Sequence, residues 1–281
     1  MKDRTRVAGY GPNDVVVVDR LVGDDGIYVV TLNDPATYNT MTVGMMKAIA
    51  QAFDGISERA HPDQNQDEVR VVVLRGEGRG FAIGLDIGKL DKYLAGGISG
   101  TTDPWRAIWD CPFPIIGAVN GPAVTGGFEL ALACDVLLAS SRAVFMDNHA
   151  KYGVHPGRRL SQRLIHVCGV NNAKFATMSS WPIEADLALK WGLVQQVYPD
   201  NQALEHGSLE VARMMARNHP MMVKRYKQLI DDGAMGTYAD GLALEAASDR
   251  TFYQDLTDLQ ATLADGAAKF QEMLAWVAAR A

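Results

Sequence analysis

Five short apolar runs, rich in β-branched residues, set the limits on what this chain can fold into. They are DVVVVDR (14–20), IYVVTLN (27–33), EVRVVVLRG (68–76), PIIGAVNG (114–121) and DVLLAS (135–140). Runs of this length and composition read as buried strands, and the first two, joined by LVGDDG with its Asp-Gly turn signal, read as a hairpin. Between later runs the apolar residues take helical spacing, as in TVGMMKAIAQAFDGI (42–56) and GGFELALAC (126–134). Strands alternating with helices predict α/β layers around a central sheet.

Beyond the last of these runs the text changes character. RRLSQRLIHVCG (158–169) and NNAKFATMSS (171–180) read as short helices, and ADLALKWGLVQQVYP (185–199) as a helix running into a strand. From Gln202 onward nearly everything is helical, so the expected division is an α/β core over 1–200 and a helical region over 201–281. With 281 residues, 48% of them apolar, the chain can bury one substantial core with a small appendage. Its net charge of −6 and 27 scattered Lys and Arg residues favour neither nucleic acid nor an anionic membrane surface as a partner. Cys111, Cys134 and Cys168 lie far apart without CxxC spacing, which implies neither a disulfide framework nor a zinc site, and no metal is expected. The N-terminus lacks a signal-peptide core and no apolar run reaches the roughly 18 residues of a membrane span, so a soluble cytoplasmic chain is expected.

Three stretches carry candidate chemistry. LRGEGRGFAIGLD (74–86) follows a strand, but its glycines lack the spacing, the immediate helix and the later acid of a dinucleotide site, so a turn is the simpler account. In AVTGGFELALACD (123–135), Glu129 stands in the first turn of a helix, where an acid stabilises the dipole whatever else it does. Gly84 before Leu85, and Gly126 before Gly127, are places where backbone can approach a ligand, and two converging N–H groups would form an oxyanion hole. VFMDNHAKYGVHPG (144–157) adds Asp147, His149 and His155. Imidazole is a natural proton carrier near neutral pH. On an extended segment Asp147 and His149 would share a face, so Asp147 either orients the ring or lies in solvent at a polar turn.

The order of these pieces, FAIGLD (81–86), VNGPAVTGGFELALACDVLLAS (119–140), AVFMDNHAKYGVHPG (143–157) and ADLALKWGLVQQV (185–197), resembles the enoyl-CoA hydratase/isomerase (crotonase) superfamily. The resemblance implies a crotonase-type, ClpP-like α/β fold of repeated ββα units. It also implies a helical C-terminal region that assembles homotrimers or homohexamers, the latter as a dimer of trimers. It assigns the oxyanion hole for a thioester carbonyl to the N–H groups of Leu85 and Gly126, and it places Ile83, Asp86, Ile87 and Gly157 at the substrate. Glu129 falls on the glutamate that activates water. The family's second glutamate is replaced here by His149, preceded by Asn148 in place of the usual proline. The substrate implied is an acyl-CoA, with coenzyme A part of the substrate and no separate cofactor.

Two departures bear on the reaction. An imidazolium at His149 can supply the proton that the second glutamate would give, so addition of water to a 2-enoyl-CoA remains the leading expectation. Asp34 stands in LNDPAT where coenzyme A binders usually carry arginine, the C-terminal basic pair is missing, and Lys89 and Lys92 are left to meet the phosphates. A hydrolase of a C–C bond or thioester, with His149 as general base, and a non-catalytic family member are the alternatives that the sequence leaves open. Arg158, Arg159 and Leu160 stand where the hydratases of that family have small residues, which predicts a bulkier or charged pocket wall.

Overall fold

The computed structural model describes residues 4–23, 26–59, 69–85, 88, 102–255 and 259–280, with backbone alone at 253–255 and 259–261. A seven-stranded sheet is built from β1 (Arg4–Tyr10), β2 (Val16–Leu21), β3 (Ile27–Leu32), β4 (Val71–Gly76), β5 (Ile115–Val119), β7 (Val136–Ser140) and β10 (Gln196–Tyr198), side by side in that order. A three-stranded sheet joins β6 (Pro122–Val124), β8 (Val144–Met146) and β9 (Ile183–Glu184). The helices are α1 (Val43–Glu58), α2 (Pro104–Trp109), α3 (Gly126–Leu132), α4 (His149–Tyr152), α5 (Leu160–Cys168), α6 (Val170–Ser179), α7 (Ala185–Lys190), α8 (Asn201–Ala216), α9 (Pro220–Gly233), α10 (Tyr238–Asp255) and α11 (Leu259–Ala278).

All five apolar runs form strands, and β2 and β3 pair antiparallel as the expected hairpin, although Asp24 and Asp25 of its turn lie outside the described residues. From β3 to β10 the sheet is parallel. A parallel sheet is covered on both faces, which is why these strands are apolar at nearly every position. Alternation then divides the side chains between two cores. Tyr28, Val30 and Leu32 of β3 and Val72 and Leu74 of β4 face one core with α1, while Ile27, Val29, Val71 and Val73 face the other. Thr42 caps α1 by accepting the Met45 N–H at 3.0 Å, and Met46, Ile49, Phe53 and Ile56 form its buried stripe.

The order strand, strand, helix recurs as β2–β3–α1, β5–β6–α3 and β7–β8–α4. The last two repeats matter most, because β6 and β8 pair in parallel with Val124 opposite Met146, so the helices that follow them start side by side.

The described chain divides between Lys227 and Gln228, where the sequence suggested 200/201. Helix α8 is the reason, since Leu204 and Ala212 join Leu21, Ile27 and Val71 in the second core. Lys227 then fastens the start of α9 to the first unit, with its Nζ 2.7 Å from Asp135 Oδ2 and donating to the Phe113 carbonyl at 3.2 Å. The described residues of the second unit are helical apart from the turn at 234–237 and the last two, 279–280. Cys111, Cys134 and Cys168 are buried and free. No helix among the described residues is long and apolar enough to cross a membrane.

Candidate active site

Glycines 84, 126 and 127 let the segment before Leu85 and the start of α3 approach within backbone distance. A side chain at Gly127 would put its Cβ 2.0 Å from the Ala82 carbonyl oxygen, and one at Gly84 would lie 3.1 Å from the Gly126 nitrogen. Segment 81–85 is stitched along β6 by Phe81 N–H to Pro122 O at 3.0 Å and Val124 N–H to Ala82 O at 3.0 Å. The turn into α3 is made by Thr125, at φ 51 and ψ −110, a region that L side chains rarely visit and that functional sites hold at some energetic cost. Its N–H is fixed by Met146 O at 2.8 Å. As a result the Leu85 nitrogen lies 3.9 Å from where a Gly126 Cβ would stand, and among the described residues neither the Leu85 nor the Gly126 N–H has a protein acceptor.

One turn into α3, Glu129 is 4% exposed, and His149, 6% exposed, opens α4. Nε2 of His149 stands 3.9 Å from Oε1 of Glu129, and Nδ1 stands 2.6 Å from Oδ1 of Asp147. Asp147 and His149 do not meet as alternate residues of a strand. The strand ends at Met146, and Asp147 Oδ1 accepts the His149 backbone N–H at 3.0 Å across the helix start, bringing ring and carboxylate together. Burial pushes the Glu129 carboxyl above its usual range, partly offset by His149 and by the Arg158 N–H, which donates to its Oε1 at 3.1 Å. Burial also works against an imidazolium at His149, but the hydrogen bond to Asp147 and the nearby Glu129 outweigh it, and the pKa rises.

Of the other expected site residues, Ile83 is held by its backbone, donating to Tyr38 O and accepting from Met41 N–H, each at 3.2 Å. Gly157 precedes the Arg158 whose N–H holds Glu129, and a Cβ at Gly157 would meet nothing within 4 Å. Asp86, Ile87, Lys89 and Lys92 lie outside the described residues. Asp34 accepts from the Thr37 hydroxyl at 2.7 Å. A cavity of about 420 Å³ adjoins the site at Asp147 and His149 and runs between His155, Leu160 and Met178. Among the described residues no group of three His, Cys, Asp or Glu side chains is arranged to hold a metal ion.

Two contributors escape a reading of the sequence. Asn39, fully buried at φ 56, donates to the carbonyls of Glu77, Gly80 and Phe81 at 3.2, 3.1 and 3.0 Å and so pins the segment that leads to Leu85. Trp105 packs 3.6 Å from the Gly126 Cβ position, with the Arg158 guanidinium 5.2 Å from its ring centre. An isolated asparagine and a tryptophan carry no spacing that marks either role.

The enoyl-CoA hydratase/isomerase family model matches residues 23–276 of this sequence. The chain belongs to the enoyl-CoA hydratase/isomerase family. It is 39% identical over 237 residues to the probable peroxisomal enoyl-CoA hydratase 1 of Arabidopsis thaliana, covering 84% of this chain and 86% of that protein. To the short-chain-enoyl-CoA hydratase of Clostridium acetobutylicum it is 33% identical over 226 residues, 78% of this chain and 83% of that one. The crystal structure of an enoyl-CoA hydratase from Bacillus anthracis superposes with a TM-score of 0.80 at 27% identity, over 91% of this chain and 96% of that one. Family membership makes this an enzyme of the hydratase/isomerase type on the crotonase fold.

Proposed function

We propose that this chain adds water across the double bond of 2-enoyl-CoA thioesters. The observation that carries it is the buried pair, Glu129 Oε1 facing His149 Nε2 at 3.9 Å, on the helix whose first amide lies beside that of Leu85. Ionised Glu129 takes a proton from water as the oxygen bonds to Cβ. The π electrons move onto the thioester oxygen, where the N–H groups of Leu85 and Gly126 stabilise the enolate. Imidazolium His149 then gives its Nε2 proton to Cα, and transfer from Glu129 to His149 restores both groups. Atoms and charge balance with water and thioester alone, coenzyme A being part of the substrate. The relatives named above carry the names of enoyl-CoA hydratases, which supports hydration over C–C bond cleavage or a silent role.

The test is loss of the conjugated enoyl absorbance of crotonyl-CoA and longer 2-enoyl-CoAs. Glu129→Gln keeps an acceptor for the Arg158 N–H but has no base, so kcat should fall by about 10²–10⁴-fold with little change in Tm. Near-wild-type turnover in this variant would sink the assignment.

A further inference from the structure

We propose that Asp147 is the positioning residue of this site, fixing which nitrogen of His149 carries the transferable proton. The inference rests on the hydration reading for its consequence and on geometry for its substance. A carboxylate only accepts, so the 2.6 Å contact places a hydrogen on Nδ1, and the second bond from the His149 backbone N–H to the same oxygen at 3.0 Å leaves the ring little freedom to turn. Nε2 is therefore the atom presented to Glu129, and protonation there creates an imidazolium with a carboxylate on each side. Asp147 is 3% exposed and sits on the Nδ1 side, so it acts on the reaction through His149.

Among the described residues, the groups facing His149 are few. Glu129 approaches from α3, Arg158 acts through the N–H it gives Glu129, and His155 lines the adjoining cavity. From α6, Thr177 and Met178 line that cavity and bring no charge. Removing the charge of Asp147 should thus lower the pH at which His149 loses its proton.

The experiment combines Asp147→Asn kinetics with NMR of the full chain carrying isotope-labelled histidine, the six histidines being sorted with a His149→Gln spectrum. Expected in the folded Asp147→Asn protein are a kcat on crotonyl-CoA lower by about tenfold or more, a smaller change in KM, an alkaline limb of kcat displaced to lower pH, and a His149 titration displaced with it. In the wild-type protein, above the His149 pKa, the ring should carry its hydrogen on Nδ1. An unmoved limb and unmoved titration in the variant, or a wild-type ring protonated on Nε2 alone, would overturn the proposal. The wild-type spectrum decides even where the variant fails to fold. Absence of crotonyl-CoA turnover defeats the hydration reading and leaves the spectra to judge Asp147.

Discussion

Glu129 and His149 occupy one buried space and must hold opposite protonation states for water to add. The environment favours this arrangement from the His149 side, because Asp147 and Glu129 keep the imidazolium to higher pH than a free ring would. From the Glu129 side, burial raises the pH at which the carboxylate forms. Turnover therefore rises with pH as Glu129 ionises, above the usual carboxylate range, and falls as His149 loses its proton, above the ordinary imidazole value of about 6.5. The kcat profile should be a bell, its two limbs belonging to the coupled pair. His149→Gln should remove the alkaline limb, and retention of that limb would assign it to another group.

At the scale of elements, the site depends on a short strand pair and on one side chain that ties a loop down. Parallel pairing of β6 with β8 sets α3 beside α4, and the close approach of Gly127 to Ala82 brings segment 81–85 against the start of α3. Asn39 holds the near end of that segment through three carbonyls and accepts the Asp34 N–H at 2.8 Å. Asn39→Ala leaves those groups buried without a donor and puts alanine in a left-handed conformation, so stability should drop by about 3 kcal/mol. Urea denaturation measures this, and kcat should fall alongside as the Leu85 amide loses its anchor. A variant as stable as wild type would show the loop to be held by other contacts.

Across the whole molecule, the first unit closes two cores around the sheet, whereas the helical second unit leaves large apolar side chains in water. Met235 and Tyr238 are 82% and 83% exposed, and Ile230, Leu263 and Trp276 are more than half exposed. Exposed apolar surface is one mark of a protein–protein contact, and we propose that reading here. With the trimer or hexamer proposed from the family resemblance, sedimentation should show species of three or six chains. Replacing Ile230 and Leu263 by Asp should shift them toward single chains. A monomer at micromolar concentration would remove the basis for that assembly.

Local patterning determined the elements that bury apolar surface on their own account. The β-branched runs announced five strands and the helical spacing announced α1, α3 and the C-terminal helices, because period and composition are properties of contiguous residues. Strand β1, RTRVAGY, stayed hidden because it is an edge strand, held by pairing to β2 and by Arg6 with Asp19 at 3.0 Å. Strands β6, β8 and β9 are two or three residues long, too short to show a period. Glu129, His149, Leu85 and Gly126 were legible as candidates from the order of their motifs, but their meeting was not. Chain positions 85, 126 and 149 come together only because β6 and β8 align at Val124 and Met146 and because two glycines let backbones touch. The position of the chain's division was likewise tertiary, since α8 reads as helix in either unit and only the apolar face of the sheet gave it a place to pack. The sequence by itself determined which residues can carry acid, base and amide chemistry. Which nitrogen faces which oxygen was decided by long-range pairing, whose geometry no local stretch contains.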